Sequence, residues 1–397
     1  MNGLPRRTWL YFAAQSINLT CAVMSVTMAA TIGAALAPTP ALSAVPYGFQ
    51  FLWLMLATYP VAYLMGRWGR KRTFLLGNIA LAVAGISGYQ AVTLQSFTLL
   101  VVCHSALGVY VAFANFNRFA ATDNLAAHLK PRAISLVVAG GVIAAVLGPT
   151  LTEWLREVGA FAAFSLCYAA FIGLAVLATL VTLCLPNDAG TAVQPLRRSP
   201  QASTRSSLTA PILLAMTVAA LGYFIMHLLM IQASMHMQHR HEDFTAMRLA
   251  IQWHVIAMFA PSFFTGWIIE RLGLKTTLCL GLWLLIASTA VNIASSNYLA
   301  VSAALILLGL GWNLTYVGSG ALLARQLEGQ AQAFKVQGQN DLAIAICATL
   351  GAFAPAVLLT GMGWQGSNLL CAGLALLVLV ATLTVLKQPA RPAASVA

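Results

Sequence analysis

The sequence predicts an all-α membrane protein whose twelve transmembrane helices form two pseudo-symmetric bundles of six, with both termini in the cytoplasm. Of its 397 residues, 60% are hydrophobic and only 8% are charged, whereas soluble proteins carry about 25% charged residues. No charged residue lies between Arg7 and Arg67, which leaves room for two spans of about 20 apolar residues. A short basic turn occurs twice, and its glycines, Gly69 and Gly273, lie 204 residues apart. Composition and repeat together indicate a duplicated, polytopic membrane protein.

The apolar segments predict twelve spans, which we number in chain order. They lie near residues 10–36, 47–65, 74–93, 97–119, 133–152, 159–185, 209–233, 246–269, 276–294, 298–323, 341–361 and 367–386. With the N-terminus inside, 18 of the 21 Lys and Arg residues fall on the cytoplasmic side, and only Arg156, Arg240 and Arg248 fall outside. This distribution follows the positive-inside rule. It accounts for the net charge of +12 without a nucleic-acid partner.

The chain divides into two related halves. We predict an N-terminal bundle over 1–185, a cytoplasmic linker over 186–208 and a C-terminal bundle with a short tail over 209–397. Besides the basic turn, two landmarks recur in the same order at offsets of 203 and 206 residues. They are Leu107-Gly108 with Leu310-Gly311, and Gly148-Pro149 with Ala354-Pro355. Internal repeats of this kind are typical of secondary-transporter folds.

The basic turn carries a family pattern. In the major facilitator superfamily, the cytoplasmic turn between spans 2 and 3 reads Gly-x-x-x-Asp-Arg-x-Gly-Arg-Lys. The first copy here matches at Arg67, Gly69, Arg70 and Lys71, while Gly66 stands in place of the aspartate. The second copy keeps Gly266, Glu270, Arg271 and Gly273. The chain therefore resembles that superfamily over nearly its whole length.

Span 5 adds a second motif. Gly140, Gly148 and Pro149 are similar to the glycine-proline motif of the drug and metabolite:proton antiporter branch, although Thr152 and Glu153 replace its later glycines. These glycines also permit close helix approach, and we expect Pro149 and Pro355 to kink spans 5 and 11.

The resemblance implies a secondary transporter in the inner (plasma) membrane that moves a small organic solute by alternating access. It implies proton coupling, a path between the two halves, a monomer in the lipid bilayer and no cofactor. The antiporter motif favours efflux, while uptake of a vitamin, siderophore or metabolite stays open. A nucleotide-binding Gly-x-x-x-x-Gly-Lys-Ser/Thr loop is missing from the sequence, which disfavours an ATP-driven pump. A polytopic membrane enzyme is a remote alternative, because nucleophiles, acids and metal ligands do not cluster at membrane depth.

Polar and aromatic residues on spans 1, 4, 7 and 10 are candidates for the pathway, because the resemblance places those spans around it. They are Gln15, Asn18, Asn115, Asn117, Tyr223, Trp312, Asn313 and Tyr316. Amides and aromatic rings without strong charge suit a neutral or aromatic solute. The alternative is hydrogen bonding between helices, which contributes about 0.6 kcal/mol per bond in membranes.

Three histidines are candidates for proton transfer. At 1.5 Å rise per residue, His104, His227 and His254 fall at similar depths below the extracytoplasmic ends of spans 4, 7 and 8. Histidine changes charge most easily near neutral pH. His104 precedes Gly108 by four residues, where the family often has an arginine. The alternative is a neutral histidine that forms a hydrogen bond between helices.

The basic turns predict a cytoplasmic gate. Its candidate residues are Arg67, Gly69, Arg70, Asp123, Glu270, Arg271, Gly273 and Asp341. Asp341 begins span 11, which the resemblance places opposite the first turn, so we predict that it pairs with Arg67 or Arg70. In the same way, we predict that Asp123 pairs with Arg271 of the second turn. The alternative is that these charges only set the topology.

A loop from His236 to Asp243 contains three histidines and two acids. Such a tract is compatible with a transition metal, but its spacing is irregular and Arg240 interrupts it. We therefore predict no metal site.

Overall fold

The computed structural model describes residues 3–39, 42–43, 45–186, 208–241, 244–330 and 332–386. Within these ranges the chain forms α-helices and contains no β-strand. The helices are α1 (Arg6–Leu36), α2 (Val45–Trp68), α3 (Arg70–Thr93), α4 (Phe97–Ala114), α5 (Asn117–Ala120), α6 (Lys130–Leu155), α7 (Ser165–Leu183), α8 (Ala210–His239), α9 (Phe244–Phe259), α10 (Ser262–Ala294), α11 (Tyr298–Gln326) and α12 (Ala333–Val385).

Two of these helices are each built from two segments joined end to end. The 53 residues of α12 would extend about 80 Å at 1.5 Å per residue, far beyond a hydrocarbon core of about 30 Å. The backbone breaks at Gly363 (φ 69°) in α12 and at Gly273 (φ 81°) in α10. Each break is the turn between two successive spans.

Division at these glycines gives the twelve spans that the sequence predicts. Spans 1 to 7 are α1, α2, α3, α4 with α5, α6, α7 and α8. Span 8 is α9 with the part of α10 before Gly273, and span 9 is the rest of α10. Span 10 is α11, and α12 supplies spans 11 and 12 on the two sides of Gly363. Most of the predicted linker, residues 187–207, lies outside the described residues, so the domain boundaries stay a prediction.

The two basic turns have the same backbone geometry. Gly69 has φ 81° and ψ 168°, and Gly273 has φ 81° and ψ 161°. Residues other than glycine rarely adopt this positive φ, which explains why a glycine stands at both positions. The Thr73 hydroxyl donates to the Gly69 carbonyl at 2.7 Å, and Thr277 donates to Gly273 at 2.9 Å. The repeat found in the sequence is therefore a repeat in structure.

A lysine after each glycine ties the turn to the last span of its own half. The Lys71 Nζ donates to the carbonyls of Leu183 (2.9 Å) and Leu185 (2.7 Å) at the end of span 6. The Lys275 Nζ donates to the Leu383 carbonyl at 3.4 Å, at the end of span 12. Cations stabilise helix C-termini, where carbonyls lack intrahelical partners. Spans 3 and 6 are thus related to each other as spans 9 and 12 are.

Glycines allow spans 1 and 5 to approach closely. A Cβ added at Gly140 would lie 2.7 Å from the Ser16 Oγ, and one at Gly148 would lie 2.6 Å from Val23. Pro149 lies inside the helix of span 5, and Pro355 lies inside that of span 11. Small residues serve the same purpose at other helix interfaces in membranes.

The two halves touch along spans 2 and 11 and along spans 5, 8 and 10. Near the cytoplasmic ends the approach is close: a Cβ at Gly266 would lie 2.6 Å from the Arg132 Cα, and one at Gly338 would lie 2.5 Å from the Ala62 Cβ. The Ser135 hydroxyl also accepts a hydrogen bond from the Gly266 N–H at 2.8 Å. Backbone contact of this kind leaves no passage at these seams, so the molecule is closed on its cytoplasmic side.

Candidate substrate pathway and cytoplasmic gate

Five aromatic side chains from spans 7, 8 and 10 form one cluster, which we call the aromatic cluster. Trp312 and Tyr316 stack with ring centroids 4.8 Å apart and planes 13° apart. The Tyr223 ring meets both of them edge-on at 5.2 and 5.3 Å and stacks on His227 at 5.4 Å. Phe259 meets Trp312 edge-on at 5.6 Å. The pairs 223/227 and 312/316 are each four residues apart, which places them on one helix face.

One polar atom of this cluster lacks a partner. The Trp312 indole N–H is buried, and none of the described residues accepts a hydrogen bond from it. Buried tryptophan nitrogens usually have a partner, and an unsatisfied buried donor costs about 1–3 kcal/mol. A solute with a carbonyl group at this position would satisfy the donor.

Three of the amides predicted on spans 1 and 4 are buried inside the N-terminal half, and the fourth, Asn115, is only half-buried. The Asn117 Nδ2 donates to the Gln15 Oε1 at 3.3 Å, in the buried interior of the N-terminal half. Both amide atoms of Asn18 are buried without a partner among the described residues. Asn115 is half-buried, and its backbone carbonyl accepts a hydrogen bond from the Arg118 side chain at 3.3 Å. Gln15, Asn18 and Asn117 therefore offer polar atoms inside the bundle.

Asn313 is used differently. Its Nδ2 donates to the Met258 carbonyl at 2.6 Å and to the Ser262 hydroxyl, while its Oδ1 accepts from the Thr265 hydroxyl at 2.6 Å. All of these partners belong to span 8. This favours the alternative interpretation, in which Asn313 fastens span 10 to span 8.

A buried ion pair joins the two halves beside the aromatic cluster. The Arg118 guanidinium, on span 4, donates to the Asp341 carboxylate on span 11 and to the Tyr316 hydroxyl. Both charged side chains are only 5% exposed. The guanidinium also lies over the Tyr316 ring at 4.7 Å, and the Asn340 Nδ2 donates to the Asp341 carboxylate at 2.8 Å. Arg118 thus connects the ion pair to the aromatic cluster.

Closer to the cytoplasm, Arg70 makes a second set of bonds. Its Nε and Nη2 donate to the two Asp123 oxygens at 2.9 and 3.3 Å. The Nη2 also donates to the Gln337 Oε1 of span 11 at 3.0 Å. The predicted partner, Asp341, is instead occupied by Arg118. Arg70 therefore contacts the other half through an amide and not through a carboxylate.

The second turn mirrors the first. Glu270 pairs with Arg132 of span 5, so each turn reaches across the seam to the opposite half. Arg271 stacks on Trp267 at 4.2 Å, and the predicted pair of Asp123 with Arg271 is not formed, because Asp123 is held by Arg70. A further pair between the halves joins Lys130 to Glu328 at 3.1 Å.

The three histidines belong to separate hydrogen-bonded groups. His104 is buried, its Nδ1 lies 3.0 Å from the Gln50 Oε1, and the Ser25 hydroxyl donates to the same oxygen at 2.7 Å. His254 donates from Nδ1 to the Leu305 carbonyl at 2.7 Å. His227 lies in the aromatic cluster. His104 therefore fastens spans 1, 2 and 4 together, and only His227 touches the cluster.

Among the described residues, no group of three potential metal ligands occurs. His236 instead stacks on Trp364 at 4.2 Å. Glu242 and Asp243 lie outside the described residues.

Comparison with known proteins decides the family. A sequence model of the Major Facilitator Superfamily matches residues 10–260 and 212–397. The chain belongs to the major facilitator superfamily. It is 31% identical over 385 residues to the riboflavin transporter RfnT of Brucella anthropi, and the match covers 94% of each chain. It is 26% identical to the uncharacterised MFS-type transporter YdeG of Bacillus subtilis, over 89% of this chain and 86% of that one.

Solved structures of this superfamily share the fold. A bacterial homologue of the iron transporter ferroportin, in its outward-facing state, superimposes with a TM-score of 0.77 at 12% identity, over 96% of this chain and 99% of that one. FucP in its outward conformation gives 0.73 at 10% identity, over 97% and 100%. At sequence identities this low, the similarity to these structures is evidence for the fold only. This superfamily member is a multi-pass membrane transporter for a small molecule and not an enzyme, which confirms those predictions.

Sequence reasoning missed Arg118. The positive-inside rule places it among the cytoplasmic charges that set the topology, because the predicted span 4 ends at residue 119. One signal could have identified it. Arg118 is the only Lys or Arg between Arg72 and Lys130, and it ends the predominantly apolar run of span 4 instead of lying in a basic loop. A lone cation at the end of such a run marks a functional position in a transporter of this superfamily.

We expect Arg70→Gln to weaken the closed cytoplasmic side. The variant loses both bonds to Asp123 and the bond to Gln337, and hydrogen bonds to charged groups contribute about 1.5–3 kcal/mol each. Hydrogen–deuterium exchange should be faster in the cytoplasmic ends of spans 2 and 11. The matched control is Arg72→Gln, which removes an exposed charge from the same turn. Equal exchange in both variants would show that Arg70 does not hold the gate.

Proposed function

We propose that this transporter carries riboflavin, or a flavin of the same neutral chemistry, across the inner membrane into the cell by alternating access. The observation that carries the proposal is the aromatic cluster at the junction of the two halves, with its unpaired indole N–H and the Arg118 guanidinium beside it. The full-length similarity to a riboflavin transporter supports the same solute. The antiporter-like motif of span 5 favours a second candidate, the efflux of another planar aromatic compound.

The chemistry of a flavin fits the side chains around the cluster. Its three fused rings are flat and would pack against Trp312 and Tyr223, with about 0.5–1.5 kcal/mol for each aromatic contact. One edge of the ring system carries two carbonyl groups, which would accept hydrogen bonds from the Trp312 N–H and from Arg118. The ribityl chain carries hydroxyl groups, for which Asn18 and Gln15 offer partners. Because riboflavin is uncharged, its binding needs no additional fixed charge.

Arg118 supplies the link between binding and gating in this proposal. It contacts Tyr316 in the aromatic cluster and Asp341 across the seam. A solute that draws the guanidinium towards itself would weaken the pair that holds the cytoplasmic side closed. Proton coupling then acts at Asp341, because a protonated carboxyl group no longer attracts Arg118. Since the two halves of one chain enclose the pathway, a monomer is sufficient.

The proposal is tested by transport in a bacterial strain that neither synthesises nor imports riboflavin. Cells that express the chain should grow on low riboflavin and take up the radiolabelled vitamin faster than cells with an empty vector. Lumichrome, which keeps the fused rings without the ribityl chain, should compete, whereas ribitol should not. The flavin assignment is wrong if the membranes contain the protein but neither riboflavin uptake nor efflux from riboflavin-loaded cells exceeds that of the vector control. Faster efflux of riboflavin without faster uptake would support export, the direction that the motif of span 5 favours.

A further inference from the structure

A groove opens at the cytoplasmic end of the seam between spans 2 and 11. We call it the seam groove. Its volume is about 320 Å³, and its walls include Tyr59, Tyr63, Gly66, Arg67, Phe334 and Lys335. It lies next to the tight contact between Gly338 and Ala62, where the two halves touch. The groove therefore begins where the seam between the halves widens.

The seam groove carries two cations without a carboxylate partner. Arg67 comes from the N-terminal half and Lys335 from the C-terminal half, and both side chains are exposed. Among the described residues neither forms an ion pair. Arg70, Lys130 and Arg132, by contrast, are each matched by an acid. Two free positive charges that face each other across a seam favour an anion between them.

Three aromatic side chains line the rest of the groove, and those of span 2 are exposed. Tyr63 is 62% exposed and Tyr59 is also exposed. Tyr59, Tyr63 and Arg67 are spaced by four residues and follow one helix face, over about 12 Å of helix length. Phe334 is held by the Arg70 guanidinium, 4.6 Å above its ring. The surface thus runs from the two cations at the cytoplasmic end of span 2 to tyrosines one and two helical turns deeper in that span.

We propose that the seam groove binds an anionic phospholipid of the phosphatidylglycerol type. The phosphate would lie between Arg67 and Lys335, with an acyl chain along Tyr63 and Tyr59. Basic pockets between spans on the cytoplasmic side bind anionic headgroups in this manner. Because the two cations belong to different halves, one lipid bridges the halves only while the cytoplasmic side is closed. Anionic lipid therefore stabilises the conformation that is closed on its cytoplasmic side.

The opposite seam provides an internal comparison. A groove of about 510 Å³ between spans 5 and 8 is lined by Arg132, Phe264 and Trp267. There Arg132 is paired with Glu270 from the other half, so its charge is already matched. The fold is pseudo-symmetric, but of these two grooves only the seam groove carries an unpaired cation from each half.

Lipid retention tests the proposal directly. The purified transporter is equilibrated with equal amounts of palmitoyl-oleoyl phosphatidylglycerol and phosphatidylcholine, and the adducts are counted by native mass spectrometry. We expect preferential retention of one phosphatidylglycerol, which falls about tenfold or more in the double variant Arg67→Gln/Lys335→Gln. The matched control is Arg72→Gln/Arg325→Gln, which removes two exposed cytoplasmic cations outside the groove and should retain the lipid.

Hydrogen–deuterium exchange gives the second readout. In the wild type, phosphatidylglycerol should slow exchange at the cytoplasmic ends of spans 2 and 11 more than phosphatidylcholine does, and the groove variant should lose this difference. The proposal is overturned if the groove variant and the control retain phosphatidylglycerol equally, or if both lipids protect the spans equally. It is also overturned if the groove substitutions change exchange to the same extent in phosphatidylcholine alone, since a protein segment would then occupy the groove. Neither readout depends on the transported solute.

Discussion

Trp312→Ala should lower riboflavin uptake at limiting concentration by about tenfold or more, chiefly through a higher KM. The substitution removes the surface against which the flavin rings would pack, at about 0.5–1.5 kcal/mol per aromatic contact, and it removes the buried N–H donor. A loss of about 1.4 kcal/mol corresponds to a factor of ten in affinity. Initial rates of uptake over a range of riboflavin concentrations measure the effect.

Two further variants separate binding from folding, because truncation of a buried tryptophan costs about 3–5 kcal/mol of stability in its own right. Trp312→Phe keeps an aromatic ring and deletes the donor, so its KM should fall between those of the wild type and Trp312→Ala. Trp283→Ala is the matched control, since this side chain is 56% exposed on span 9 and should leave transport unchanged. If Trp312→Ala reaches the membrane in normal amounts and transports with the wild-type KM, the aromatic cluster is not the binding site.

The spans and the turns could be predicted because they depend on neighbouring residues. Apolar runs of bilayer length define the helices, and the positive φ of Gly69 and Gly273 is a local requirement of a turn. Even the unusual length of α12 does not disturb this prediction, since Gly363 interrupts it where the sequence places a boundary. An apolar stretch of about 20 residues in a membrane must satisfy its own backbone hydrogen bonds by forming a helix, so its structure follows from its local sequence.

The partners across the seam could not be predicted in the same way. Arg118 and Asp341 are 223 positions apart, and their pairing depends on how two whole bundles meet. Asn313 shows the same limit from the other side. Span 10 is buried on several faces, so its sequence does not say whether a polar residue faces the pathway or span 8. Orientation about the helix axis is set by packing between helices, which a single sequence does not record.

Asp341→Asn should abolish riboflavin accumulation driven by a proton gradient while exchange of riboflavin for riboflavin continues. The amide keeps the shape and the hydrogen-bonding oxygen of the carboxylate but cannot take up or release a proton. It also leaves Arg118 buried without a counter-charge, and loss of one partner of a buried pair costs about 3–5 kcal/mol. The closed cytoplasmic side should therefore be about 100-fold or more less populated. Proteoliposomes with an imposed pH gradient measure accumulation, and counterflow measures exchange.

The partner substitutions make this prediction specific to the ion pair. Arg118→Gln alone leaves a buried carboxylate, whereas the double variant Arg118→Gln/Asp341→Asn leaves no unpaired charge and should be more stable than either single variant. His104→Asn serves as the control for protonation, because its hydrogen-bonded group with Gln50 and Ser25 joins helices of one half only. That variant should keep the wild-type dependence of uptake on pH. Normal accumulation in Asp341→Asn would show that Asp341 does not carry the coupling proton. A flattened pH dependence in His104→Asn would assign that proton to His104.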